Sequence, residues 1–298
     1  MLSSIKSITV NYDAVNEGKT FSSGDMLSGR VLLVLSRETK IKGLRVKMKG
    51  KAKVHWREFK DKTCEHYKSK EKYFKLEQLV IGQEKDIVLA AGSHVFPFTF
   101  QIPEGDMPCS FKGDHGKVKY KLEAKLSRSW RLPSNAASAF TFVSMPVMSL
   151  LQLALLMSPQ HGTVTKKMSL FTSGNAAINV NIERTAYWPG EELKVTVYVQ
   201  NSSSRNLVPK VAVDQIQSFF AQGEDNICTH RILKHVGEPI PANMPQMLTV
   251  ELKLPPNLPA SMYNCSIISV EYFLKVYLDV PFAIDPKVKL PLVILPAV

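Results

Sequence analysis

Five basic side chains, Arg45, Lys47, Lys49, Lys51 and Lys53, stand at alternate positions of KGLRVKMKGKAKVHW (Lys42–Trp56). Leu44, Val46, Met48, Ala52, Val54 and Trp56 take the positions between, with Gly50 the only gap. Period-two alternation puts the two sets on opposite faces of a β-strand. A row of ammonium groups suits one chemistry, the holding of carboxylate or phosphate oxygens as point charges. Lys117–Leu126 repeats the device, with Lys117, Lys119 and Lys121 between Val118, Tyr120 and Leu122. A strand that needed only solubility would gain from interspersed acids, since like charges on neighbouring positions repel. The two strands read as a candidate face for acidic or phosphorylated peptide; the plain alternative is solvated lysine.

No other residue set assembles a reaction centre. Gly18, Lys19 and Thr20 look like the end of a phosphate-binding loop, but Asp13 stands where its first glycine belongs and no strand-then-helix pattern surrounds it. GDHGK (Gly113–Lys117) reads as a hairpin turn. GxSxG, HExxH and a kinase-type catalytic loop are absent from the sequence. Cys64 with His66, and Cys228 with His230 and His235, carry metal-binding types, but structural zinc uses four ligands at tight spacings. Glu191–Glu192 and Glu224–Asp225 read as turn and solvent charges. A non-enzyme without metal or cofactor is expected.

The formal charge of +12 is unevenly placed: residues 1–148 hold 26 Lys+Arg against 15 Asp+Glu, and residues 149–298 hold 12 against 11. That asymmetry points to an acidic partner for the first half. Nucleic acid is the obvious rival, yet single-strand binders interleave basic groups with exposed rings. From 45 to 57 the basic parity reads Arg, Lys, Lys, Lys, Lys, His, Arg, while Trp56 lies on the apolar side. No nucleic acid is expected. Met1 is not followed by a signal-peptide pattern, and the four cysteines, Cys64, Cys109, Cys228 and Cys265, form no close pairs. Reduced thiols and a cytoplasmic location are the expectation.

Leu132 to Thr165 contains no Asp, Glu, Lys or Arg. Pro133, Asn135, Pro146, Gln152 and Pro159 interrupt it, and its densest part, Met145–Met157, is too short to span a bilayer. It reads as a buried strand (Ala139–Val143) and an apolar connector, in which Leu150–Met157 could form a helix apolar on every side. Peripheral contact with a membrane stays open.

The remaining pattern is β throughout. Gly29–Leu35, Ile178–Glu183, Glu192–Gln200, Met247–Leu254 and Ser269–Val280 alternate, and Gly, Pro, Asn and Asp punctuate them. Phe96, Phe98 and Phe100 share one face of a run whose Pro97 suggests a sheet edge. Gly82, Gly92, Gly113, Gly116 and Gly190 fall where turns needing positive φ are expected. Val15–Leu33 echoes Ile182–Val199: an aromatic, a turn glycine (Gly24 or Gly190), an acid directly after it, then a strand. Two antiparallel β-sandwiches in tandem follow: 1–148, a short apolar linker at 149–167, and 168–298.

FSSGDMLSGRVLL (Phe21–Leu33), IKGLRVKMKGKAKVHW (Ile41–Trp56), GSHVFPFTFQIP (Gly92–Pro103), PCSFKGDHGKVKYKLEAKLSR (Pro108–Arg128), IERTAYWPGE (Ile182–Glu191) and LPPNLPASMYNCSIISVEYFLKVYLDV (Leu254–Val280) resemble the α-arrestins, in family order along almost the whole chain. The resemblance implies an arrestin-like pair of sandwiches and an adaptor that holds cytosolic tails of membrane receptors and transporters on a basic face of its first sandwich. It further implies endocytosis, endosomal sorting and ubiquitin-dependent down-regulation, with recruitment to plasma membrane and endosomes. A peptide-binding tandem sandwich of another role is the alternative, and a basic nucleic-acid binder a lesser one. The family recruits HECT-type ubiquitin ligases through PPxY motifs, and the sequence contains none; LPPN (Leu254–Asn257) is not one. WW grooves read a preformed proline-rich helix. Ligase WW domains are therefore expected to bind residues 1–298 weakly or not at all, and a pull-down showing micromolar or tighter binding would contradict this.

Overall fold

A computed structural model describes residues 4–60, 63–82, 86–144, 149–167, 174–280 and 285–297. In the first half the strands are β1 (Ile5–Tyr12), β2 (Thr20–Phe21), β3 (Met26–Leu35), β4 (Thr39–Ile41), β5 (Gly43–Lys60), β6 (Thr63–Ile81), β7 (Ile87–Leu89), β8 (Gly92–Gln101), β9 (Phe111–Lys112), β10 (Gly116–Arg128) and β11 (Arg131–Phe142). A short helix, α1 (Leu150–Leu156), precedes the second half. There the strands are β12 (Gln160–Lys167), β13 (Gly174–Ile182), β14 (Ala186–Tyr187), β15 (Glu192–Ser203), β16 (Val208–Ala221), β17 (Glu224–Val236), β18 (Pro245–Lys253), β19 (Ile268–Asp279) and β20 (Lys287–Ile294).

Each half is a sandwich. A β1-β3-β8 sheet covers a β2-β11-β10-β5-β6 sheet, and a β12-β13-β15-β18 sheet covers a β14-β20-β19-β16-β17 sheet. The alternating apolar positions supply the filling: Leu27, Val31 and Leu33 of β3 with Leu44, Val46 and Met48 of β5 on one side, and Val195 and Val197 of β15 with Leu274 and Val276 of β19 on the other, all at 0% exposure. Each such side chain contributes about 1.5–3 kcal/mol when removed from water. Phe98 and Phe100 are buried on β8, an edge strand, where Pro97 leaves no ladder bond unmade. The sheets are not wholly antiparallel as expected. In each half a two-residue strand pairs in parallel with the last strand, Phe21 beside Phe142 and Tyr187 beside Ile294.

The echo between halves extends to single hydrogen bonds. Asp25 accepts from the Ser22 N–H (2.7 Å) and Glu191 from the Trp188 N–H (2.9 Å), each just after a positive-φ glycine, Gly24 or Gly190. Ser110 Oγ accepts from Phe142 N–H and Ser261 Oγ from Ile294 N–H, both at 2.9 Å. Tyr120 in β10 and Tyr272 in β19 are buried and donate to the carbonyls of Pro108 and Pro259, both at 2.7 Å. Each ring closes its sandwich beneath the loop that leads into its own strand.

The two sandwiches meet along the inner side of β5 and β6 and the β9–β10 turn. Glu71 accepts from the N–H and Oγ of Ser266 (2.9 and 2.7 Å), and the Tyr73 hydroxyl donates to Cys265 Sγ (3.3 Å). Asp114 donates its N–H to Gln217 Oε1 (3.1 Å), its carboxylate meets His230 Nε2 (2.7 Å), and His115 stands edge-on to Phe219. Gly82, Gly92 and Gly190 hold positive φ as expected, but Gly113 and Gly116 do not. They are glycine because of crowding. A Cβ on Gly116 would lie 2.9 Å from each of Ile268, Phe219 and Val54, and one on Gly113 would strike Gln217.

Other expectations shift. Of the segment expected as linker, 149–167, only its start is connector, because Gln160–Lys167 pairs with β13 as an edge strand. The expected strand Ala139–Val143 is the end of β11, with Phe140 and Phe142 buried, and residues 145–148 of the connector lie outside the described residues. All four cysteines are free thiols.

Two substitutions test this packing. Tyr120→Phe leaves the Pro108 carbonyl without its partner and should cost about 1–3 kcal/mol of stability in urea unfolding; a loss under about 0.3 kcal/mol would show the bond to be idle. Gly116→Val should cost at least about 1 kcal/mol by wedging the sandwiches apart.

Candidate anion-binding face

The apolar set of β5 is buried: Leu44, Val46, Met48 and Ala52 are at 0% exposure, Val54 at 3% and Trp56 at 2%. Arg45, Lys47, Lys49, Lys51 and Lys53 are thereby turned to the opposite, solvent face. Gly50 interrupts the alternation because Tyr120 lies across it, and a Cβ there would come within 2.5 Å of that ring.

Antiparallel pairing sets β10 on one side of β5 and β6 on the other, and cross-strand partners share a face. The register aligns Lys121, Lys49 and Lys75; Lys119, Lys51 and Lys72; and Lys117, Lys53 and Lys70. Three strands thus carry a grid of lysines, three by three. The β6 members were missed in the sequence because β6 does not alternate cleanly. A bulge opposite Gly50 and Lys51 inserts Tyr73, which changes the parity so that Lys70, Lys72 and Lys75 reach one face. Tyr73 and Phe74 both turn inward and stack on Tyr120 at 6.2 and 6.0 Å. Only the runs Lys68-Lys70-Lys72 and Lys75-Glu77-Leu79, read separately, carried the signal.

The face is divided electrostatically. At one end Glu77 meets Arg45 (3.4 Å), Lys47 (3.2 Å) and Lys75 (3.8 Å), and Glu123 pairs with both Lys49 and Lys121. At the other end Lys51, Lys53, Lys70, Lys72, Lys117 and Lys119 have no acidic partner among the described residues. Hydrogen bonding and charge from Lys47 hold the Glu77 carboxyl below the usual range. Burial lowers the Lys51 pKa, and the charges of Lys53, Lys121, Lys49 and Lys70 lower it further. A neighbouring anion would relieve that repulsion.

The unpaired end opens on a cavity of about 670 Å³ beside the junction of the sandwiches, lined by Lys53, Lys68, Lys70, Lys112, Lys117 and both His55 and His115. Asp114, the acid on its wall, is engaged by His230. His55 and His66 stack with ring nitrogens 3.2 Å apart, and burial followed by Lys68, His66 and Arg57 keeps the His55 pKa low. The basic parity continues to Phe59, which is 86% exposed near the end of β5. Among the described residues no three His, Cys, Asp or Glu side chains group as a metal site. No helix there is long and apolar enough to cross a membrane. The arrangement suits the holding of several anionic groups in a row.

Glu123 gives the face a pH dependence. Burial raises its pKa, but the hydrogen bonds from Lys121 and Lys49 outweigh it and leave the carboxyl below its usual value. A folded-state pKa below the unfolded one, about 4.3, stabilises the fold above that pH and loses the contribution as pH falls through the folded value. Carboxyl NMR should place the Glu123 midpoint below that of an unfolded glutamate, and Lys49→Ala with Lys121→Ala should move it up; an unmoved midpoint would discount the pairing.

Residues 8–148 match the family described as "Arrestin (or S-antigen), N-terminal domain", and residues 172–297 match "Arrestin (or S-antigen), C-terminal domain". Arrestin domain-containing protein 4 of Mus musculus is 31% identical over 97% of this chain and 72% of its own length. The Homo sapiens protein of the same name is 30% identical over 97% and 71%. Human thioredoxin-interacting protein is 27% identical over 99% of this chain and 75% of its own. With both domain families matched in order on a pair of β-sandwiches, the chain belongs to the arrestin family, among the α-arrestins.

Proposed function

We propose that the chain is a non-enzymatic adaptor whose lysine grid holds acidic or phosphorylated cytosolic tails of membrane receptors and transporters. Endocytosis, endosomal sorting and ubiquitin-dependent down-regulation of that cargo complete the reading, with recruitment from cytoplasm to plasma membrane and endosomes. Membership of the arrestin family supports an adaptor role. The observation that carries the rest is the unneutralised end of the grid: Lys51, Lys53, Lys117 and Lys119 across two central strands, flanked by Lys70 and Lys72.

The spacing argues for an extended ligand. Same-face residues along a strand are separated by about 6.6–6.8 Å, twice the rise per residue. An extended peptide repeats its own side chains at that interval. Phosphates or carboxylates on every second residue can therefore each meet one lysine row. Lysine reads charge without demanding a planar partner, so sequence discrimination should be low and charge pattern should dominate.

An exposed charge pair contributes only about 0.2–1 kcal/mol, so single Lys→Ala changes should barely register. Reversing Lys51, Lys53, Lys117 and Lys119 together to Glu should weaken binding of a peptide phosphorylated at alternate serines by at least about tenfold, or 1.4 kcal/mol. Arg45→Ala with Lys47→Ala should do less, because Glu77 already offsets part of the charge at that end. Wild-type affinity should fall steeply between low and high salt, since exposed charges are screened over about 8–10 Å. If the folded fourfold variant binds as tightly as wild type, the grid is only a solvated face. Equal binding of an unphosphorylated peptide would remove the phosphate from the reading.

A further inference from the structure

The leucines of α1 form an exposed apolar cluster that neither the core nor the basic face uses. Leu150, Leu151, Leu153 and Leu155 are 86%, 70%, 40% and 62% exposed, and no residue of the helix is buried. Successive helical residues turn by about 100°, so these four spread over an arc of about 200°, with Gln152 and the half-buried Leu156 opposite. A protein groove covers one face of a helix and leaves a polar face outside. Here the leucine arc is wider than one groove-facing side, so a groove would leave part of it in water.

The backbone of this helix is closed at both ends. Ser149 Oγ accepts from the Gln152 N–H and Gln152 Oε1 accepts from the Ser149 N–H, a complete capping box. Ser158 Oγ donates to the Ala154 carbonyl (2.7 Å), and the Thr185 N–H donates to the Leu156 carbonyl (2.8 Å) from the second sandwich. Unsatisfied amide groups are what bars short backbone segments from an apolar medium, and these ends leave few of them. The chain on both sides adds no charge, since Leu132 to Thr165 is free of Asp, Glu, Lys and Arg. Approach to an apolar phase therefore desolvates no ionised group of this segment, and the segment offers a protein partner no charge to recognise.

We propose that α1 is a membrane wedge that enters the acyl-chain boundary of a phospholipid bilayer and docks the protein there independently of headgroup charge. At about 10 Å it is far too short to cross and can enter only one leaflet. Binding through so small an apolar area is weak and reversible, comparable to a single acyl anchor, and needs cargo as a second attachment to persist.

The test is flotation of residues 1–298 with neutral phosphatidylcholine vesicles at millimolar lipid, in 0.5 M salt to silence the lysines. Leu151→Gln with Leu155→Gln changes exposed positions only, and its thermal melt should match wild type. Wild type should float, and the double variant should partition at least about fivefold less. Lys51→Glu with Lys53→Glu should float like wild type, which separates this wedge from the basic face. Three results would overturn the proposal: no flotation of wild type, equal flotation of the leucine variant, or loss of flotation in the lysine variant. A wild-type dimer in sedimentation that the leucine variant lacks would also overturn it, by assigning the leucines to a second copy.

Discussion

The burial of one side of β5 governs the rest of the basic face. Leu44, Val46, Met48, Ala52, Val54 and Trp56 lie in the first core, and a slip of one residue would drive Arg45 and the lysines into it. Moving an unpaired ammonium into an apolar interior costs several kcal/mol, so that slip is closed to the strand. Register and charge presentation are in this sense one constraint. The core holds the lysines at their spacing, and their mutual repulsion is tolerated because the apolar side has no other register to adopt. Lys51 lies amid that repulsion, and burial first and then its neighbours' charges lower its pKa.

The same plan is used twice with different outer faces. Tyr120 and Tyr272, Ser110 and Ser261, and Asp25 and Glu191 make matching bonds in the two halves. These devices satisfy loop and strand-end groups that would otherwise be buried without partners. The matching closures leave the outward residues free to diverge. In the first half they became a lysine grid. In the second, β16 is covered on both sides, and Asp214 on it is held by Arg231 in two hydrogen bonds (2.8 and 3.2 Å).

Where the halves touch, small size matters alongside hydrogen bonding. Gly113 and Gly116 let the β9–β10 turn approach β16 and β19, and Asp114 between them is tied to Gln217 and His230. That turn also walls the cavity next to the unpaired lysines. The contact between sandwiches and the most positive part of the face are therefore built from the same few residues. A group bound at the cavity would lie against the junction itself.

By itself the sequence determined which side chains of β5 and β10 face water and which face the core, because the pleat depends only on the parity of positions along the chain. The duplication, the edge position of Pro97, the turn at Gly113–Lys117 and the short helix after Ser149 were legible for the same local reason. Pairing was not. That β6 lies beside β5, that its bulge at Tyr73 turns Lys70, Lys72 and Lys75 to the basic face, and that Glu77 and Glu123 offset part of the charge at one end of it are consequences of register between distant segments. The connector hid β12 because an edge strand exposed on one side needs little apolar content, and β16 was missed because a strand covered on both sides does not alternate. Gly113 and Gly116 look like ordinary turn glycines until the second sandwich is set against them. Tertiary structure alone decided these points, since a charge or a missing Cβ takes its meaning from whatever lies within a few ångströms of it.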